Sequence, residues 1–199
     1  MKKINTIFFD LFGVLLGIDQ STIIHYVAKK IDLPYLQTKD IVMGEIFMRL
    51  ERGEIGFKQY FQDLQYTLPS GEKLIFDEFQ LRWTSINIDE LPAARCLPKL
   101  KENYRLYIIS NTSEAHIESL KKQFTLFSNF EKIITSEAAN SSKPSLEIFN
   151  YALNKTGSIA ESSMFIDDMA SNVNGAESLG FITHHYKDYE GFDAFISSF

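Results

Sequence analysis

Five short apolar runs, Ile4 to Phe9, Leu106 to Ile109, Ile133 to Thr135, Met164 to Ile166 and Phe181 to Tyr186, limit what this chain can fold into. Each is short and carries apolar residues at consecutive positions, the pattern of a strand buried on both faces. The later runs are separated by segments with helical spacing: Ile117, Leu120 and Phe124, then Ile148, Tyr151 and Ala152, then Val173, Ala176 and Leu179. Such alternation predicts a Rossmann-like α/β architecture, a parallel five-stranded sheet with helices on both faces.

Between the first two runs lie about ninety residues, where a simple crossover needs about a dozen. The surplus is an insert. Helix-spaced apolar residues run over 20–31, 36–51, 57–66 and 73–83, among them Ile23, Ile24, Val27 and Ile31, then Val42, Phe47 and Leu50, then Phe57, Phe61 and Leu64. Gly53 and Pro69 supply breaks. The lack of strand-like alternation predicts a helical bundle over residues 17–88, set into a core of residues 1–16 and 89–199.

Charge narrows the partners. Twenty Lys and Arg against twenty-six Asp and Glu give a net charge of -6, a field that repels phosphate backbones, so nucleic acid is not expected as a partner. A single cysteine, Cys96, offers neither an intrachain disulfide nor a zinc cluster and fits a reducing, cytoplasmic compartment. The opening Met1, Lys2 and Lys3 before an apolar stretch imitates a signal peptide, but Asp10 interrupts it and no small-residue cleavage site follows. The apolar runs are too short to span a bilayer, and no membrane partner is expected. The expected assembly is a monomer or a homodimer.

Ligands of open parallel sheets bind beyond the carboxyl ends of the strands, so the residues that follow each run carry the functional reading. The first run ends in Asp10, the second in Ser110 and Asn111, and the fourth in Asp167 and Asp168, while Lys143 lies in the loop after the third. Carboxylates, a hydroxyl and an ammonium gathered on one sheet edge suit a divalent cation and a phosphate. Asp10 precedes an apolar turn rather than a helix start, which argues against a capping role. Asp167 and Asp168 repel each other unless a cation or a proton lies between them. Asn111 stands at capping-box spacing from Glu114 and reads as the N-cap of the next helix, whose free amides also favour an anion near Ser110. Pro144 is expected at the first position of its helix, aiming Lys143 back over the sheet edge.

Taken in order, Asp10 to Val14, Ser110 with Asn111, Lys143 with Pro144, and Asp167 to Asn172 resemble the four motifs of the haloacid dehalogenase superfamily. The insert corresponds to that superfamily's helical cap. Glu51 to Ile55, followed by Phe57 and Phe61, looks like the cap of the branch containing bacterial glucose-1-phosphate phosphatase and the N-terminal phosphatase domain of soluble epoxide hydrolase. The resemblance implies a magnesium-dependent phosphatase that hydrolyses a small phosphorylated metabolite through an aspartyl phosphate. Asp10 is then the nucleophile, a known use of carboxylate in covalent catalysis. Asp10, the backbone carbonyl of Phe12 and Asp168 hold magnesium, with Asp167 beside them as a ligand through water or as a positioning partner. Ser110, Asn111 and Lys143 form the substrate-binding set, Lys143 also offsets the negative charge around Asp10, and Asn172 orients the acidic loop.

The chain departs from the family pattern at Phe12. Most phosphatases of the superfamily carry a second aspartate there, which protonates the leaving oxygen and activates water, and general acid-base help is worth roughly 10²–10⁴ in rate. Phenylalanine provides neither, which points to a substrate with an activated leaving group, such as a sugar's anomeric oxygen, or to another residue or water in that role. Two alternatives remain. Metal-independent 2-haloacid dehalogenases carry an aromatic residue at the Phe12 position, but their last motif has two serines where this chain has Asp167 and Asp168. A weakly active regulatory protein that binds phosphorylated metabolites is the other. His184 and His185, neighbours on the last run, point to opposite faces and are expected to be structural. Arg49, Arg52 and Glu54 in the insert are candidates for substrate contact, or a solvated helix end.

Overall fold

The structure, a computed structural model, describes residues 3–51, 54–84 and 87–199. In chain order the elements begin with β1 (Thr6–Phe9), β2 (Leu16–Asp19), α1 (Ser21–Ile31), α2 (Tyr35–Val42), α3 (Glu45–Glu51), α4 (Phe57–Thr67) and α5 (Phe76–Thr84). There follow β3 (Asn87–Glu90), α6 (Leu97–Leu100), β4 (Arg105–Ser110), α7 (Glu114–Lys121), β5 (Lys132–Thr135) and α8 (Ser136–Ala139). The chain ends in α9 (Leu146–Thr156), β6 (Ser163–Asp167), α10 (Ala170–Ser178), β7 (Ile182–His185) and α11 (Tyr189–Ile196).

The five apolar runs are the strands of one parallel sheet, in the order β5-β4-β1-β6-β7. From the central β1 the chain builds outward through β4 to β5, then returns to add β6 and β7 on the opposite side. This reversal opens a crevice at the carboxyl end of β1, where sheets of this kind take their ligands. Alternation sorts the side chains onto two faces. On one, Phe8, Tyr107 and Phe165 pack with Ile148, Phe149 and Ala152 of α9 and with Ala176 of α10. Phe149 meets Phe165 edge to face at 5.1 Å, the arrangement that aromatic quadrupoles favour. On the other face, Phe9 contacts Phe130 and Phe192 of α11, each at 6.1 Å.

Two compact units result, Met1–Gly17 with Asp89–Phe199, and Ile18–Ile88. The second has its own core. Ile23, Ile24, Val27 and Ile31 form the buried stripe of α1, and Tyr60, Phe61 and Leu64 that of α4. The Tyr60 hydroxyl is buried and donates to the Val42 carbonyl at 2.6 Å, which satisfies the group that burial would otherwise penalise.

Two expectations for the insert need correction. The helix expected over residues 36–51 is two helices, α2 and α3, parted at Met43 and Gly44. The chain turns there so tightly that a Cβ on Gly44 would lie 2.3 Å from the Asp40 carbonyl oxygen. The margins of the insert also hold strands, because β2 and β3 pair as a two-stranded sheet. Strands of four residues whose partner lies about seventy positions away leave no alternation to read. Gly53, expected as a break, lies outside the described residues, as does Arg52.

Candidate active site

Asp10 is the first residue beyond β1, and its amide still donates to the Ile166 carbonyl of β6 at 2.8 Å. The register that pairs Phe9 with Ile166 therefore sets Asp10 beside Asp167, the last residue of β6. Both carboxylates are buried, and the equally buried Lys143 bridges them, its Nζ 2.7 Å from Asp10 Oδ1 and 2.7 Å from Asp167 Oδ2. Burial of such charges is tolerated because each is paired.

The two carboxylates are held differently. Asp10 Oδ1 also accepts from the Leu11 amide at 2.7 Å, while Oδ2 accepts no hydrogen bond among the described residues. Asp167 is saturated. Its Oδ1 accepts from the Met169 amide at 2.8 Å and from Asn172 Nδ2 at 3.0 Å, and its Oδ2 from Lys143 and from Asn172 Nδ2 at 3.1 Å. Both Asp167 oxygens are thus occupied, whereas Asp10 Oδ2 stays without a hydrogen-bond partner among the described residues.

Burial pushes the Asp10 carboxyl up to about 7 against the pull of Lys143, with Asp167 and Asp168 raising it further. Asp168 is raised by burial and then by Asp167. Burial works against the Lys143 ammonium, but the two carboxylates outweigh it and hold its pKa above the ordinary lysine value. These shifts describe carboxylates short of positive charge.

The residues present fit a divalent cation. Asp10, Asp167 and Asp168 each offer an oxygen, and these atoms lie within 4.8 Å of one another. The Phe12 carbonyl, expected as a further ligand, accepts no hydrogen bond among the described residues. The turn after Asp10 is closed by the Leu15 and Leu16 amides, which donate to the Leu11 carbonyl, and by the Gly13 amide, which donates to the Leu16 carbonyl. Gly13 adopts a positive φ of 87°. A Cβ there would lie 2.4 Å from Asp168 Oδ2, so glycine is needed for its conformation and for the room that it leaves the carboxylate.

Ser110, at the end of β4, is buried, and its hydroxyl makes no hydrogen bond among the described residues. Asn111 does not cap α7. That place belongs to Ser113, whose side chain accepts from the His116 amide. Asn111 instead grips the backbone of Lys143, accepting from its amide at 2.8 Å and donating to its carbonyl at 3.0 Å. The spacing from Glu114 misled because Ser113, two residues on, competes for the same free amides. Pro144 likewise is not the first residue of its helix: Ser145 is the N-cap, α9 starts at Leu146, and the Lys143–Pro144 peptide is cis.

Sequence reasoning missed two contributors, and it left His185 as structural without its contact. Thr112 and His116 lie beside the motif loops, with Thr112 Oγ1 3.0 Å from His116 Nδ1 and the imidazole stacked on the Phe12 ring at 5.5 Å and 23°. Partial burial of the ring lowers the His116 pKa. His185 Nε2 lies 2.9 Å from the Asp168 carbonyl oxygen and donates to it, so it steadies the acidic loop, while His184 stacks on Phe195. In the other unit Arg49 pairs with Asp63 at 3.2 Å and lies 3.8 Å from Glu54. No signal of composition or spacing marks a residue whose work is to hold another.

A Rossmann-like sheet with a helical insert after its first strand, and with carboxylates, a lysine and a hydroxyl at the strand ends, defines a class of hydrolytic enzymes. A model of the haloacid dehalogenase-like hydrolases matches residues 4–180, and the chain belongs to that family. It is 26% identical, over 90% of each chain, to a D-ribitol-5-phosphate phosphatase of Bacteroides thetaiotaomicron. It is also 26% identical to a sesquiterpene phosphatase of Aspergillus oryzae, over 90% of this chain and 88% of the relative. Among solved structures it resembles a haloacid dehalogenase family enzyme of Bacteroides thetaiotaomicron in complex with magnesium and inorganic phosphate, with a TM-score of 0.69, 26% identity, and 93% and 95% of the two chains covered. Among the described residues, no helix is long and apolar enough to cross a membrane.

Proposed function

We propose that the chain is a magnesium-dependent phosphatase that hydrolyses a phosphomonoester of a small metabolite, with Asp10 as nucleophile. The observation that carries this reading is the asymmetry at Asp10, where Lys143 and the Leu11 amide hold Oδ1 while Oδ2 has no partner among the described residues. Oδ2 attacks phosphorus, the P–O bond to the leaving group breaks, and the departing oxygen takes a proton from solvent. Water then attacks the aspartyl phosphate and returns a proton to solvent, phosphate leaves, and the Asp10 carboxylate is restored. Lys143 and the Ser110 hydroxyl bind the phosphoryl oxygens as charge shifts onto them, and their fixed positions reduce reorganisation in the transition state. Asn111 belongs to the same binding edge through its hold on Lys143. Asp10, Asp168 and the Phe12 carbonyl are the residues that would hold magnesium, and the ion would supply positive charge to the transferring phosphoryl group.

The relatives are named for phosphate esters of a sugar alcohol and of a sesquiterpene, so what transfers to this chain is the phosphoester chemistry rather than one substrate. The acidic pair Asp167 and Asp168 favours this reading over 2-haloacid hydrolysis. Phosphate release from a panel of phosphorylated metabolites, with magnesium and then with chelator, tests it. Magnesium-dependent release that Asp10→Asn abolishes is expected. Halide release from a 2-chloro acid in chelator, with no phosphate release in magnesium, would overturn it.

A further inference from the structure

Phe12 stands two residues after the proposed nucleophile and has no proton to give. A D-ribitol 5-phosphate, the substrate named for one relative, is nevertheless a primary alkyl phosphate, whose departing oxygen benefits from a hydrogen bond as charge develops on it. The surroundings of Phe12 hold an imidazole. The His116 imidazole stacks on the Phe12 ring, and its Nδ1 is engaged by Thr112 Oγ1 at 3.0 Å. Thr112 is itself buried, and its carbonyl accepts from Ser136 Oγ at 3.1 Å. The His116 amide is tied to the Ser113 side chain at 3.2 Å. The ring is thus fixed on one face and at one nitrogen, while Nε2 has no partner among the described residues and the residue as a whole is exposed.

We propose that His116 is the residue that contacts the leaving group, hydrogen-bonding through Nε2 to the oxygen that departs from phosphorus. This rests on the phosphatase reading above. His116 and Phe12 act as a unit: the phenyl ring is the platform that orients the imidazole, and the imidazole supplies the polar edge that residue 12 lacks. The contact sets specificity, because a poor leaving group depends on it more than a good one.

The test compares kcat/KM on a primary alkyl phosphate, such as ribitol 5-phosphate, with that on an aryl phosphate, in magnesium, for the native protein, His116→Ala and His116→Gln. The ratio of the two substrates within one preparation is independent of how much of the protein is folded. His116→Ala should lower the alkyl-to-aryl ratio about tenfold, the effect of one lost hydrogen bond to a group gaining charge. His116→Gln, which retains an N–H donor, should recover part of it. An unchanged ratio in His116→Ala, whether both rates fall together or neither falls, would overturn the assignment and leave the phosphatase reading standing. A native protein that releases phosphate from neither ester would overturn both.

Discussion

The amide of Lys143 donates to Asn111 Oδ1 at 2.8 Å, and Asn111 Nδ2 donates back to the Lys143 carbonyl at 3.0 Å. This reciprocal pair joins the loop after β4 to the loop between α8 and α9, and so fixes the backbone from which the ammonium reaches Asp10 and Asp167. Asn111→Ala leaves the Lys143 amide and carbonyl without these partners, a loss of about 1–3 kcal/mol. A lower thermal midpoint is expected, with phosphate turnover reduced about tenfold or more as the ammonium loses its anchor. Unaltered turnover in a variant with a lower midpoint would restrict Asn111 to a structural role.

The unequal holding of the two Asp10 oxygens leads to a chemical prediction. Asp10→Asn should abolish phosphate release and any acid-trapped aspartyl phosphate while leaving the fold intact, since Lys143 keeps Asp167 as a partner. Circular dichroism checks the fold, and labelling with a radioactive phosphoester checks the intermediate. Native turnover in the variant would refute the covalent route.

Stability in the absence of metal should depend on pH through Asp10. Its pKa lies at about 7 in the folded protein against an ordinary value of 3.8, so between these values the folded state holds a proton that the unfolded chain has lost. The associated stability is fully present below about 3.8 and is lost as pH rises through about 7. Asp168, also raised, acts in the same direction. Thermal midpoints in chelator, from about pH 4 to about pH 8, should fall more steeply for the native protein than for Asp10→Asn. Parallel curves would show that burial does not hold a proton on Asp10.

The parallel sheet was legible because its strands are apolar on both faces, as Ile7, Phe8 and Phe9 show in β1. The strand-end carboxylates were legible because a charged residue stands directly after a fully apolar run. What the sequence hid were relationships between elements. Ser113 displaced Asn111 as the cap of α7, which freed Asn111 to bind a loop thirty-two residues away. The stacking of His116 on Phe12 brings the first turn of α7 against the turn after β1. The split between α2 and α3 turns on a close approach at Gly44, which helical spacing does not reveal.

Gly13 provides the sharpest test of the proposed metal site, because one added methyl group acts there in two separable ways. Its φ of 87° is unfavourable for alanine, which by itself costs about 1–2 kcal/mol. The added Cβ would also lie 2.4 Å from Asp168 Oδ2 and 2.5 Å from Asp168 Cγ, far inside van der Waals contact. Either the carboxylate swings away or the turn that carries the Phe12 carbonyl shifts, and both movements separate expected magnesium ligands. Gly13→Ala should therefore bind magnesium much more weakly than the native protein. Calorimetric titration of the ion, without substrate, measures this apart from catalysis. The rise in thermal midpoint that magnesium gives the native protein should shrink in the variant, since a ligand stabilises only in proportion to its binding of the folded state. Backbone strain alone would lower the midpoint equally with and without magnesium. A variant with that uniform loss and native magnesium affinity would show that Asp168 does not depend on Gly13 for its position, and would count against Asp168 and the Phe12 carbonyl as ligands of one ion.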